Sequence, residues 1–259
     1  MFKRFFCCLV LAAAASHAYA IDYTDIWYNP AESGWGVNLV QSDTFIFATF
    51  FIYGQNGSPT WYTAQLTYDG TANYTGGLYA SAGTYFAAPW MPGNLSTAQV
   101  GTATFAPSAA NAFQGTLIYT VTGAGTVTKP IQRQTLTPIT IGGIYTGGES
   151  GVYSSCSSNP QNGPYIDRYD LSVTQQTGGN VSLFFNYVSG LGCTFTGSLQ
   201  QFGQLYSVPN ATYVCSDGLN TTASLSEVKA TGQGIEGKFS STNVGGGCRL
   251  DGQFAAVLQ

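Results

Sequence analysis

The chain is poor in the residues that carry most enzyme chemistry. It has one histidine, His17, and only eight Lys and Arg against twelve Asp and Glu in 259 residues. His17 lies in a leader that is expected to be removed, so the mature chain has none. Without histidine there is no Ser-His-Asp or Cys-His arrangement, and zinc would lack its usual ligand. No C-x-x-C spacing occurs, so no metal site is read. The glycine runs Gly142-Gly143 and Gly245-Gly246-Gly247 lack the lysine and helix context of a phosphate loop, and no cofactor is implied. The Asn-x-Ser/Thr sequons at Asn73, Asn94, Asn180, Asn210 and Asn220 read as strand-edge composition.

What is present begins with an address. Lys3 and Arg4 precede an apolar run from Phe5 to Ala15, and Ala18-Tyr19-Ala20 fits the small-x-small rule for cleavage. Residues 1–20 therefore read as a secretory signal, too short in its apolar part to remain as a stable membrane anchor. Removing Lys3 and Arg4 leaves six basic residues against twelve acidic ones, a net charge of −6. That argues against nucleic acid as partner and against electrostatic attachment to an anionic membrane. The expected destination is the periplasm or the extracellular space.

Four cysteines remain after the leader: Cys156, Cys193, Cys215 and Cys248. An even count in an exported chain reads as two disulfides. Cys193 and Cys215 lie nearly symmetric about Gly203-Gln204, which places them on facing strands of a hairpin and leaves Cys156 to pair with Cys248.

Cysteine and tryptophan divide the chain: Trp27, Trp35, Trp61 and Trp90 all precede residue 100, and the mature cysteines all follow residue 150. Strand-like stretches rich in Thr, Tyr, Phe and Val dominate both halves, and no helical periodicity follows the leader. The fold class is therefore all-β. Two small antiparallel meander domains are expected, at 21–137 and 143–259, each closed or nearly closed into a barrel or sandwich that hides its edges. The segment from Thr135 to Gly143 is the candidate linker, with its boundary near Pro138. The stretch from Thr44 to Tyr53, TFIFATFFIY, is apolar on both faces and is expected to be covered on both sides. With all the cysteines in one half, the halves are expected to unfold separately.

One segment stands out, Trp27-Tyr28-Asn29-Pro30-Ala31-Glu32-Ser33-Gly34-Trp35-Gly36, followed by DTFIFATFFIYGQNGSPTWY. This pair resembles a recurring module of exported bacterial proteins that carry a WYNPxESGWG-like opening and then an ATWFxYxxxGxPxWY-like hairpin. The likeness runs from about Asp25 to Leu136. It implies an exported β module and assigns no activity. Trp27-Tyr28-Asn29 is also similar to the first strand of avidin-like and lipocalin-like barrels, though three residues assign no biotin site.

Two roles suit the segment. Pro30, Gly34 and Gly36 would shape a structured plug closing one barrel end. Alternatively, Trp27, Trp35 and Trp61 would surround a ligand, with Asn29 and Glu32 as polar contacts. The functional reading is an exported, non-catalytic binding protein for a small molecule, a glycan such as a cell-surface carbohydrate, or a protein. The alternatives are a structural or protein-interaction module of the envelope and, less favoured, a glycosidase using a carboxylate pair such as Glu32 and Asp43 or Asp167 and Asp170.

Overall fold

The structure, a computed structural model, describes residues 21–138, 140–157 and 161–259; the leader lies outside the described residues. Strands β1 to β8 span Asp25–Tyr28, Gly36–Ser42, Phe45–Tyr53, Pro59–Tyr68, Tyr74–Ala82, Ser96–Pro107, Gln114–Val121 and Gly125–Arg133. Each pairs antiparallel with the next, and β1 also pairs with β8, so the first half is a closed barrel. Alternation along the strands turns Val37, Leu39, Ile46, Ala48, Phe50, Ala64 and Leu66 into the interior, where they are fully buried. An interior packed with apolar side chains is the reverse of the polar lumen of a membrane-spanning barrel.

The second half contains β9 to β17: Gly143–Ser154, Gly163–Gln175, Asn180–Tyr187, Gly192–Ser198, Gln200–Phe202, Leu205–Cys215, Asn220–Ala230, Gly234–Val244 and Cys248–Leu258. The sheet runs β12-β11-β10-β9-β17-β16-β15-β14-β13, and β12 also pairs with β14, which closes a second eight-stranded barrel with β13 as an appendage. Cys193 and Cys215 face each other across that seam and are disulfide-bonded. Cys156 bonds Cys248, 92 residues away, at the same end of the barrel. Both pairs are those read from the sequence.

The barrels are not independent bodies. The hairpin of β13 and β14 docks on the near end of the first barrel, where Phe202 stacks on Phe113 with ring centroids 4.5 Å apart. Leu205 is buried against Ala112 and Phe113. Gln201 Nε2 donates to Thr137 O at 3.1 Å, and the Gly203 N–H donates to Thr135 Oγ1 at 3.1 Å. Cysteine placement says nothing about such a contact, and the two barrels share an interface.

A second correction concerns β3. Its inward residues are buried, but its outer face is not covered: Phe47, Phe51 and Tyr53 are all exposed, Phe51 at 55% and Tyr53 at 56%. Apolar residues on both faces of a strand predict burial on both sides. Here none of the described residues lies over the outer side.

Candidate functional site

The conspicuous motif is architecture for most of its length. Trp27 is fully buried at the barrel centre, its Nε1–H donating to Tyr23 O at 3.0 Å, and the Arg133 guanidinium lies 5.0 Å from its ring centroid. It belongs to the core and not to a ligand surface. Asn29 spends its polar atoms on its own loop: its Oδ1 accepts the Ala31 N–H at 3.0 Å and its carbonyl accepts the Glu32 N–H at 3.0 Å. Lys129 shares the inward register of β8 with buried Ile131 and Arg133, and so rises into the barrel mouth. There it meets Glu32, with Nζ 2.9 Å from Oε1 and 2.7 Å from Oε2. The lysine holds the Glu32 carboxyl below the usual carboxylate range. Trp35 Nε1 donates to the same carboxylate at 3.1 Å while its ring packs against the core. The loop is thus a plug pinned by an ion pair. Of the five expected binding residues, Trp61 alone stands out into solvent as a free aromatic face, 51% exposed.

Trp61 has company that the motif did not indicate. On the outer wall of β2, β3 and β4, Phe51 lies directly opposite Trp61, Phe47 opposite Val40, and Tyr53 opposite Pro59. Between the two aromatic rows runs a polar row, Asn38 opposite Thr49 and Thr49 opposite Thr63. Phe47 and Phe51 are four residues apart, roughly 13 Å along the strand. Gly36 is the β2 neighbour of Phe51, where any Cβ would sit 2.9 Å from Trp27 O. No side chain can therefore stand beside Phe51 on β2. The sequence signal for this face was the two-sided apolarity of TFIFATFFIY, which marks exposure here as well as burial.

The second barrel offers two further clusters. Outside, Gly148, Ser150 and Ala255 form a strip of small residues between longer side chains of β10, β15 and β16, leaving a groove of about 570 Å³. Arg168 lies across its floor, its Cγ 4.0 Å from where a Gly148 Cβ would stand. Glu227, at φ 51° in a β-bulge, is ion-paired with Lys238 at 2.8 Å along the same groove. Inside, Glu149 is buried and accepts the Tyr165 hydroxyl at 3.1 Å. Burial pushes its carboxyl up to about 7; the Tyr187 and Tyr165 hydroxyls oppose that shift and Asp167 adds to it. The burial that raises Glu149 also raises Tyr165, Tyr187 and Tyr213.

The carboxylate pairs expected for a glycosidase are not assembled. Glu32 and Asp43 occupy opposite ends of the first barrel, on the loops after β1 and β2. Asp167 and Asp170 are three apart on β10 and face opposite sides of the sheet; Asp170 accepts the Thr146 hydroxyl at 2.8 Å. The carboxylates that do meet are Glu149 and Asp167, direct partners on β9 and β10. The Tyr165 and Tyr187 hydroxyls reach Glu149, and both carboxylates belong to residues that border the groove. Among the described residues no cluster of His, Cys, Asp and Glu has metal-binding geometry.

No protein-family model matches the chain, and no curated protein matches it. Among solved structures, a protein of Bacteroides fragilis assigned by its name to the outer membrane is 12% identical, with a TM-score of 0.32 over 92% of this chain and 96% of that one. A double mutant of the vaccine antigen transferrin-binding protein B from Haemophilus parasuis is also 12% identical, with a TM-score of 0.31 over 87% of this chain and 53% of that one. At these scores the likenesses transfer neither ligand nor role.

Proposed function

We propose that the protein is an exported, non-catalytic binding protein, and that the outer face of β2, β3 and β4 takes a carbohydrate at the cell surface. The observation that carries this reading is the exposed pair of Phe51 and Trp61, side by side on a rigid hairpin. Flat aromatic rings stack on the apolar C–H faces of sugars and lose little conformational freedom in doing so. The Asn38, Thr49 and Thr63 row supplies amide and hydroxyl groups at the spacing of the rings, as hydroxyl-bearing ligands require. Two disulfides support an oxidising compartment. Apolar side chains held outward on a small barrel mark an interaction surface and not a core.

The test is a glycan-array screen of the mature protein, followed by Trp61→Ala and Phe51→Ala. Binding should concentrate on one glycan class and fall at least tenfold in either variant, with unfolding midpoints unchanged. A protein-interaction module using the same face would give no glycan signal at all.

A further inference from the structure

The end of the first barrel remote from the second carries almost no charge. Its connections are residues 29–35, 54–58, 83–95 and 122–124. From Gly70 to Thr128 the sequence contains no charged residue, nor does it from Thr44 to Tyr68. Among the described residues the only charges at this pole are Glu32 and Lys129, which neutralise each other at 2.7 Å. The carboxylates Asp22, Asp25, Asp43 and Asp69 all lie at or toward the opposite end.

The same pole gathers exposed apolar side chains. The loop between β5 and β6 presents Tyr85, Phe86, Trp90, Met91 and Leu95, with Phe86 94% exposed at its crest. The loop has a built conformation. Thr84 Oγ1 accepts the Met91 N–H at 3.0 Å, donates to Met91 O at 3.1 Å, and lies 3.3 Å from Asn94 Nδ2. Ala88 N donates to Tyr85 O at 2.9 Å, and Pro92–Asn94 forms a 3₁₀ turn. Trp90 covers Gly83, whose Cβ would be 3.8 Å from the indole. The aromatics are thus held outward by hydrogen bonds within the loop, and among the described residues no other part of the chain covers them.

We propose that this pole docks reversibly into the interfacial layer of an uncharged lipid bilayer, with Phe86 and Trp90 entering first. Trp, Tyr and Phe favour the boundary between headgroups and acyl chains, where an apolar ring and a polar edge are both accommodated. A convex tip needs no matching pocket in a bilayer, whereas a stable protein interface needs a broad complementary patch. A charge-free pole on an acidic protein suits zwitterionic headgroups, since it gains nothing from an anionic surface and is not repelled by a neutral one. The inference goes beyond carbohydrate binding and does not depend on it. It would set the aromatic wall of β3 and β4 at headgroup level, facing glycans on the same surface.

The experiment is co-sedimentation of the mature protein with phosphatidylcholine vesicles, alongside tryptophan quenching by brominated phosphatidylcholine. The wild type should sediment with the vesicles, be quenched, and bind equally at low and high salt. Phe86→Ser combined with Trp90→Ser should reduce the bound fraction about tenfold with unchanged thermal unfolding. That variant should also keep any glycan binding, whereas Trp61→Ala should lose it, so the two readings fail separately. Wild-type protein left in the supernatant, full binding by the double variant, or binding only when anionic lipid is added would each overturn the proposal. So would loss of a cross-linked protein partner, and not of vesicles, in the double variant.

Discussion

Asp25 and Arg133 form a buried ion pair, Oδ2 to Nη1 at 3.2 Å, and the same Asp25 oxygen accepts the Gln204 N–H from the second barrel at 3.0 Å. Arg133 fixes the first barrel's chain ends as well: its Nε donates to Ala112 O at 2.9 Å, Nη1 to Thr24 O at 3.2 Å, and Nη2 to Asp22 O. One charge pair therefore closes β1 against β8 and receives the second barrel's hairpin.

Removing one partner leaves the other charge buried and uncompensated, at a cost of about 3–5 kcal/mol. Asp25→Ala should lower stability by that order. Gly203→Ala should loosen the docking selectively, because Gly203 has φ 64° and an added Cβ would fall 2.0 Å from Asp25 Oδ2. All four tryptophans report on the first barrel, so their fluorescence unfolding midpoint is the readout. Reduction of the two disulfides should shift that midpoint in the wild type and shift it less in Gly203→Ala. Equal shifts in both proteins would mean the hairpin contact does not couple the barrels.

The disulfide at the seam makes its own forecast. Cys193 and Cys215 hold β12 to β14, the contact that closes the second barrel. Replacing both by alanine should cost about 2–5 kcal/mol, measured by chemical denaturation. Peptide mapping without reductant should recover Cys193 with Cys215 and Cys156 with Cys248. A Cys156–Cys193 peptide would contradict the closure described.

Glu149 makes stability fall as pH rises. Its folded-state carboxyl titrates near 7, above the ordinary value of 4.5 in the unfolded chain. Between those values the folded protein holds a proton that the unfolded chain has released, so stability is fully present below about 4.5 and is lost as pH climbs through about 7. The loss is about 3 kcal/mol at 1.36 kcal/mol for each unit. Glu149→Gln should flatten the dependence and leave the variant the more stable protein above pH 7. Denaturation midpoints from pH 5 to pH 8 check this, and a wild-type midpoint that does not fall over that range would refute the burial argument.

The tryptophans separate plug from surface. Trp27→Ala should cost about 3–5 kcal/mol, as removal of a large core side chain does. Trp61→Ala should change stability by no more than about half a kcal/mol. Thermal unfolding of the two variants gives the comparison, and similar losses in both would place Trp61 in the core.

Much of this architecture was legible because alternation is a local signal. Alternation in the sequence predicts strands over Trp35–Gln41, Pro59–Tyr68 and Val181–Tyr187, and the structure has them at Gly36–Ser42, Pro59–Tyr68 and Asn180–Tyr187. The Cys193–Cys215 symmetry held because β12 and β14 do pair about Gly203-Gln204, with β13 inserted beside the turn. Three strands escaped. Asp25–Tyr28 is short and merged into the motif, Gly143–Ser154 carries four glycines that mask its pattern, and Gln200–Phe202 is only three residues long. β14 read as two strands because Pro209 and Asn210 interrupt it, where the structure has an irregular register. The site was less legible for a physical reason. Trp27 and Trp61 have the same chemistry, and only closure of the barrel decides which faces inward. Nor does any local pattern reveal that Glu149 meets two tyrosine hydroxyls, of Tyr165 and Tyr187, from other strands.

The central claim is that the exposed wall of β3 and β4 binds a glycan. Its most direct test is titration of the mature protein with the best array ligand, followed by the same titration of Trp61→Ala at matched thermal stability. The account predicts saturable wild-type binding that weakens at least tenfold in the variant. Wild-type binding that Trp61→Ala leaves unchanged, or no glycan bound by the wild type, would contradict it.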